Sequence, residues 1–445
     1  MKRLQKYSYA LVVLTALAAC QEPEPDPIEA VDGFEEQDPA SKEPRAYGVV
    51  ASDYAVTSIG LLKPNGKMLS GDFVHSGSAP VGLVAALSGD VRLPTRSGDP
   101  DILTIIDRHR SDVITRIDPD SGEVLGQVKT HGDGDAAYSS NPQDYVQTDT
   151  DTAWVSRFAP NLEEDEDHED GGNDLLQLDI KSFERSGRIS FWHLNGKAER
   201  TDAETGDTET VTTYARPSAV VRLGDYLVVG LANLSASFDA IGPGMVALVN
   251  PETEEVTELE LPELQNCDGV RPVPGSDDRV VVACAGFHRG DPRASAGLVL
   301  LELDDDELSI VHSWHGADHP DLPLAVASPV PLGGTEVVAV AVGEGAVLDE
   351  EGNVETPETY DAAYVVDLSS EDQTHLFEAE GRYKIGSGAY NPERKILLLP
   401  DASVDDEGHP TAGVRRFERD DDGDFEALDV VSTHDLLPPI QVRPL

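Results

Sequence analysis

VITRIDPDSGEVLGQV, residues 113–128, is an apolar strand, a tight polar turn and a second strand. The plan returns as GMVALVNPETEEVTELEL at 244–261 and as GLVLLELDDDELSIVHSW at 297–314. Looser copies read AVTSIGLLKPNGKMLSGDFV at 55–74, LLQLDIKSFERSGRISF at 175–191, AAYVVDLSSEDQTHLFEA at 362–379 and GVRRFERDDDGDFEALDV at 413–430. The turns carry Pro, Asp, Asn, Gly and Ser, whose fixed φ, tolerance of positive φ or local side-chain hydrogen bonds suit tight turns.

A second half-unit recurs beside each hairpin. It opens at Pro80, Pro142, Pro217 and Pro323, with Cys267 and Gly386 in the matching place, and leads to strongly apolar runs such as RVVVACAG and KILLLPDAS. Proline belongs at the first residue of a strand, where no ladder hydrogen bond is lost. Units of strand pairs repeating about every 50–65 residues are the mark of a β-propeller. The first unit lacks its opening strand, and the C-terminus supplies one. HDLLPP at 434–439 mirrors HSGSAP at 75–80, so residues 440–445, IQVRPL, are expected as the innermost strand of the first blade. The expectation is therefore an all-β, seven-bladed propeller of four-stranded blades, closed by its C-terminal strand.

The repeat resembles the YVTN-type and related quinoprotein-like propellers of exported bacterial proteins. Ile117-Asp118-Pro119-Asp120-Ser121-Gly122-Glu123-Val124, and Pro217 leading to Leu227-Val228-Val229, carry the resemblance. It implies the fold and assigns no functional residue, since such folds host enzymes and binders alike. The tryptophan docking motif of quinone-dependent dehydrogenases is absent: Trp154, Trp192 and Trp314 share no repeat position.

Residues 1–19 read as a signal peptide, with Lys2, Arg3 and Lys6 before an apolar stretch too short for a spanning helix. Leu17-Ala18-Ala19-Cys20 resembles a bacterial lipobox, which implies cleavage before Cys20 and lipid on it. Residues 20–45 are acidic and Pro-rich and are expected to be a disordered tether, reaching roughly 25–30 Å as a coil. The propeller is expected over 46–445. An outer-membrane lipoprotein, held by its anchor and facing the periplasm or the cell surface, follows from these signals.

The 445 residues hold 84 acidic and 33 basic side chains, a net charge of −51. Nucleic acid is excluded as a partner, because that binding depends on neutralising phosphates with Lys and Arg. The charge reads more simply as a solvated surface than as a cation store. Cys267 and Cys284 sit symmetrically about a turn at Pro274–Asp277, and in an exported chain they are expected to form a disulfide that staples one blade.

Candidate sites are few. A histidine recurs where the outer strand ends, at His75, His131, His193, His315 and His434, too widely spread around a ring to share one ion. The simpler reading is a side chain bonded to its own crossover. His312, His315 and His319 with Asp318 form the best local metal cluster, of a composition suited to zinc. Acidic runs at 149–151, 163–170 and 420–424 offer oxygen ligands for calcium without a complete loop motif. The stretches 161–174 and 196–211 look like long insertions of the third blade. Residues flanking the inner strands, Asn141, Arg216, Asn266 and Asp321, are expected at the channel mouth as a ligand-binding set.

There is no GxSxG, P-loop or HExxH. The sequence therefore favours a non-enzymatic, cofactor-free, monomeric binding or scaffold module that presents loops for protein or ligand contacts at the cell envelope. One alternative is an exported, metal-dependent hydrolase resembling lactonase-type propellers, with its site in the central channel. Another is a calcium-binding surface or adhesion protein.

Overall fold

The structure is a computed structural model. It describes residues 26, 28–29, 31, 43–78, 87–96, 98–108, 110–132, 138–164, 166–201, 205–289, 292–319, 329–343, 347–348, 354–356, 358–405 and 407–445. Among them are seven four-stranded antiparallel sheets, each a blade of one β-propeller. The innermost strands of blades 1 to 7 are Pro439–Pro444, Val91–Arg92, Pro142–Gln147, Pro217–Leu223, Gly269–Pro272, Val330–Gly333 and Ala389–Asn391. Blade 1 closes the ring as the end-to-end repeat match foretold. Pro439–Pro444 pairs with Tyr47–Ser52, with Tyr47 opposite Pro444 and Val49 opposite Val442.

No single core holds the molecule. Seven apolar clusters each fill one gap between neighbouring blades, among them Val221, Val228, Val246, Val282 and Val299 between blades 4 and 5 and Ile106, Ile114, Tyr145 and Val155 between blades 2 and 3. The middle strands of a blade face a neighbour on both sides. This explains runs such as Leu103–Asp107 and Ile396–Pro400, every residue of which is buried. Outer strands face solvent and read mixed, as in Glu255–Leu261.

Two inner strands lie further along the chain than the repeat suggested. In blade 2 the pairing strand is Val91–Arg92, opposite Ile106 and Asp107, and the apolar stretch that starts at Pro80 lies mostly outside the described residues. In blade 6 it is Val330–Gly333, seven residues beyond Pro323, which is also outside them. The insertion near 196–211 is a hairpin, Gly196–Thr201 with Thr208–Tyr214, that pairs with Leu234–Ser235 into a small accessory sheet.

The disulfide Cys267–Cys284 forms as expected, within blade 5, and both residues are fully buried. A closed loop of this size contributes roughly 3 kcal/mol in the chain-entropy account. The expected tether is partly docked. Asp26 bridges Ser78. Ile28 is buried in the cluster between blades 1 and 2, with Val31 packed against it. Ile28 lies against Gly122 (φ 70°), where a Cβ would come within 2.9 Å of its side chain. The acidic, Pro-rich composition hid the few apolar residues that dock. Cys20 and residues 1–19 lie outside the described residues, and no described helix is long and apolar enough to cross a membrane.

Candidate active site in the central channel

In an antiparallel four-stranded blade, the crossovers and the loops between the second and third strands share one end. Tyr54, Asp90, Arg108, Asp361, Tyr383 and Lys384 come from these segments, and a cavity of about 320 Å³ opens among them. Its wall is made by the inner strands and the residues that lead into them: Gln143 and Asp144, Ser218 and Ala219, Asp268 and Arg271, Ser387, and Gln441 and Arg443.

Local backbone irregularity aims several of these residues. Gln143 is an extra residue between the pairs Pro142–Arg157 and Asp144–Ser156. Ser218 and Ala219 fall in a second shift of register, between Pro217–Leu231 and Val220–Val229. Ile440 is an extra residue opposite Val50 and Ala51. All four line the cavity. A bulge turns a side chain off the regular alternation, and bulges cluster beside active sites.

The cavity holds five cations, Arg92, Arg108, Arg271, Lys384 and Arg443, and four carboxylates, Asp90, Asp144, Asp268 and Asp361. Three of the carboxylates are committed. Asp90 pairs with Arg108, whose guanidinium also donates to Gln143 Oε1 at 2.7 Å. Asp144 accepts from the backbone N–H of Thr95, Tyr145 and Val220 and from the Thr95 hydroxyl, joining segments of blades 2, 3 and 4. Burial pushes its carboxyl up, against these donors, which all favour the anion. Asp361, fully buried, accepts from the backbone of Gly343, Lys384 and Ile385.

Asp268 is different. Its Oδ1 is buried without a hydrogen-bond partner among the described residues. Burial raises its pKa, while Arg92 and Arg271 pull the other way. Arg271 feels the same burial, which lowers its pKa to about 10, so it remains charged at neutral pH. A cavity-lining carboxylate with one oxygen free of hydrogen bonds among the described residues, beside guanidiniums, can move a proton next to groups that stabilise an oxyanion.

The donor set does not fit a divalent cation. Asp144 and Asp361 spend their oxygens on N–H and O–H donors, and Asp268 sits beside positive charge. No group of three or more His, Cys, Asp or Glu among the described residues is arranged to hold a metal.

Three of the four residues expected at the channel mouth lie outside this cavity. Asn141, Arg216 and Asn266 do share a repeat position, each at the mouth of an inner strand with φ of 49°, 52° and 55°. None lines the cavity. Asn141 Oδ1 accepts from Gln143. Arg216 lies over the rings of Phe158 and Phe238, 5.1 and 4.3 Å from their centroids, and donates to the carbonyls of Leu234, Ser235 and Ala236, which pins the accessory sheet. The cavity lies further down each strand, at Gln143, Ser218 and Asp268. Asp321 is outside the described residues.

The proposed zinc cluster does not assemble. His312 and His315 lie on the outer strand Glu307–His315, where a spacing of three places them on opposite faces. His315 Nε2 lies 3.2 Å from Ser313 Oγ. His319 stacks on Trp314 and lies 3.2 Å from Gln373 Nε2, and Asp318 belongs to a short turn. The crossover histidines behave as the simpler reading held in three cases, one of them His131, whose Nδ1 lies 2.6 Å from the Gly132 carbonyl. His75 Nδ1 accepts from Gly77 N–H, and His434 Nδ1 accepts from Leu436 and Leu437. The acidic runs are also used internally. Asp420 accepts from Asp422 and Asp424 N–H, and Asp170 pairs with Arg185.

No protein-family model matches the chain and no curated protein matches it. Among solved structures it is similar to a provisionally named 6-phosphogluconolactonase from Bacteroides fragilis, at 12% identity and TM-score 0.49, covering 92% of this chain and 100% of that one. It is also similar to the periplasmic gluconolactonase PpgL of Pseudomonas aeruginosa, at 14% identity and TM-score 0.48, covering 89% and 98%. A third, a protein from Lactobacillus plantarum, has 13% identity and TM-score 0.48 over 90% and 99%. These likenesses describe the fold. Two of these propellers bear the names of lactonases, which stands against the expectation of a chain that is not an enzyme.

Proposed function

We propose that the central channel hydrolyses a small-molecule ester, of the lactone class, with Asp268 as general base. The observation that carries this reading is Asp268 itself, which lines the cavity, has a buried Oδ1 without a hydrogen-bond partner among the described residues, and feels the charges of Arg92 and Arg271. The lactonase names of similar propellers agree with it.

In this reading, Asp268 takes a proton from water as the water oxygen bonds to the ester carbonyl carbon. Charge builds on the carbonyl oxygen, where Arg92 or Arg271 stabilises it by hydrogen bonding and Coulomb attraction. The tetrahedral species collapses by breaking the ring C–O bond, and the leaving oxygen recovers the proton from Asp268. Water and lactone are consumed and one hydroxy acid is formed. A base with a raised pKa takes the proton more readily than an ordinary carboxylate.

The test is turnover of a panel of aldonolactones and simple aryl esters by the purified protein and by Asp268→Asn. The expected result is hydrolysis by the native protein, a rate that rises with pH through an apparent pKa above the ordinary carboxylate range, and a loss of about 10²-fold or more in the variant. Absence of turnover across the panel, or a variant as fast as the native protein, sinks the reading.

The proposal includes a place at the cell envelope, supported by the signal-like residues 1–19 and the lipobox at Cys20. Intact mass of the N-terminal peptide from cell membranes decides it: an acylated Cys20 supports the anchor and an unmodified one removes it.

A further inference from the structure

Arg443 is only 3% exposed. Its Nη1 donates to the carbonyls of Gly388 (3.0 Å) and Val442 (2.7 Å), and its Nη2 to the hydroxyl of Ser387. Arg271, three blades from Arg443 along the ring, donates from Nη2 to the same hydroxyl at 3.2 Å. Three guanidinium nitrogens are left buried without an acceptor among the described residues: Arg443 Nε, and Arg271 Nε and Nη1. Every described hydrogen-bond partner of the two side chains is neutral.

Two like charges that meet on one hydroxyl repel each other, and unmet N–H groups in a buried site are costly. Ser387 Oγ accepts from both guanidiniums, so its own proton points elsewhere. The site is therefore a cluster of donors in want of an acceptor, and it lies in a chain whose net charge is −51. The partner that meets all of these needs at once is an oxyanion, which accepts only and neutralises the pair.

We propose that Arg271, Arg443 and Ser387 form a subsite for an oxyanion, a carboxylate or a phosphoryl group, carried by the channel's substrate. The substrate assignment rests on the reading of the channel as a hydrolytic site; the binding of the anion does not. Arg443 and Ser387 hold the charged end, and Asp268, in the same cavity, faces the ester end.

The test is calorimetric titration of the full chain with inorganic phosphate and, separately, with succinate, both at constant ionic strength. The expected result is saturable binding of at least one probe, weakened 10-fold or more in Arg271→Gln and in Ser387→Ala. Arg443→Lys, which keeps the charge and loses the fork, should weaken it less than Arg443→Gln. Asp268→Asn should bind the probe as well as the native protein or better. A preference for phosphate over succinate, or the reverse, identifies which oxyanion the subsite takes. Absence of binding by both probes, or Arg271→Gln and Ser387→Ala variants that bind as the native protein does, overturns the subsite. The hydrolytic reading fails separately. Probe binding without any ester turnover removes that reading and leaves the subsite. Equal turnover of neutral and anionic lactones, unaffected by Ser387→Ala, removes the subsite and leaves hydrolysis.

Discussion

At the scale of single residues, the chain places charges where only three-dimensional context gives them meaning. Asp112 and His131 are an example outside the channel. Asp112 is fully buried with φ of 53°, and its Oδ1 accepts from Ser139, Ser140 and Asn141. Its Oδ2 lies 3.5 Å from His131 Nε2. His131 Nδ1 lies 2.6 Å from the carbonyl of Gly132, so that nitrogen carries a proton. The nearby Asp112 carboxylate raises the imidazole pKa against burial, with Asp170 adding to the same effect. A group whose folded pKa is raised contributes stability that is full below its unfolded value of about 6.5 and is lost as pH rises through the folded value. Urea unfolding at pH 6 and pH 9 should show greater stability at the lower pH, and His131→Gln should shrink that difference. An unchanged difference in the variant would mean that the latch does not titrate. The crossover from blade 2 to blade 3 that this pair holds leads directly into Gln143 and Asp144 of the channel wall.

At the scale of elements, the strand that closes the ring bears the largest consequence. Pro439–Pro444 completes blade 1, fills the gap to blade 7 with Val442, clasps Leu93 of blade 2 through Gln441, and carries Arg443 into the cavity. Without it the first blade has three strands and an open edge at the axis. Deleting residues 439–445 is expected to abolish cooperative thermal unfolding and to drive aggregation, as followed by circular dichroism and light scattering. A truncated chain that melts sharply near the native temperature would show that the ring does not depend on this closure. The element was legible because its flanks repeat: His434 and Pro439 copy His75 and Pro80. The bulges at Gln143, Ser218–Ala219 and Ile440 were not legible. A bulge inserts one ordinary residue, and nothing in PQDYVQ at 142–147, PSAVVRL at 217–223 or IQVRPL at 440–445 marks where the ladder slips.

At the scale of the whole molecule, a strongly acidic exterior surrounds a cationic channel. Charge of one sign at this density destabilises the compact state by self-repulsion, and salt relieves it. The screening length shortens from about 10 Å at 0.1 M to about 3 Å at 1 M. The midpoint of thermal unfolding is therefore expected to rise with added KCl across this range. A flat or falling midpoint would show that the acidic groups are already balanced locally. An anionic ligand meets the same field on approach, whereas its contacts with the buried arginines are screened much less.

By itself the sequence determined the all-β class, the seven repeats, the closure by the last strand and the pairing of Cys267 with Cys284. These depend on local alternation, turn chemistry and repetition, which are written along the chain. Tertiary structure alone decided the site. Asp268, Arg271, Ser387 and Arg443 are drawn from blades 5, 7 and 1 and are separated by up to 175 positions in the chain. They meet because inner strands converge on one axis. Their meaning comes from burial and from which partners they lack, and neither quantity exists before the ring is closed.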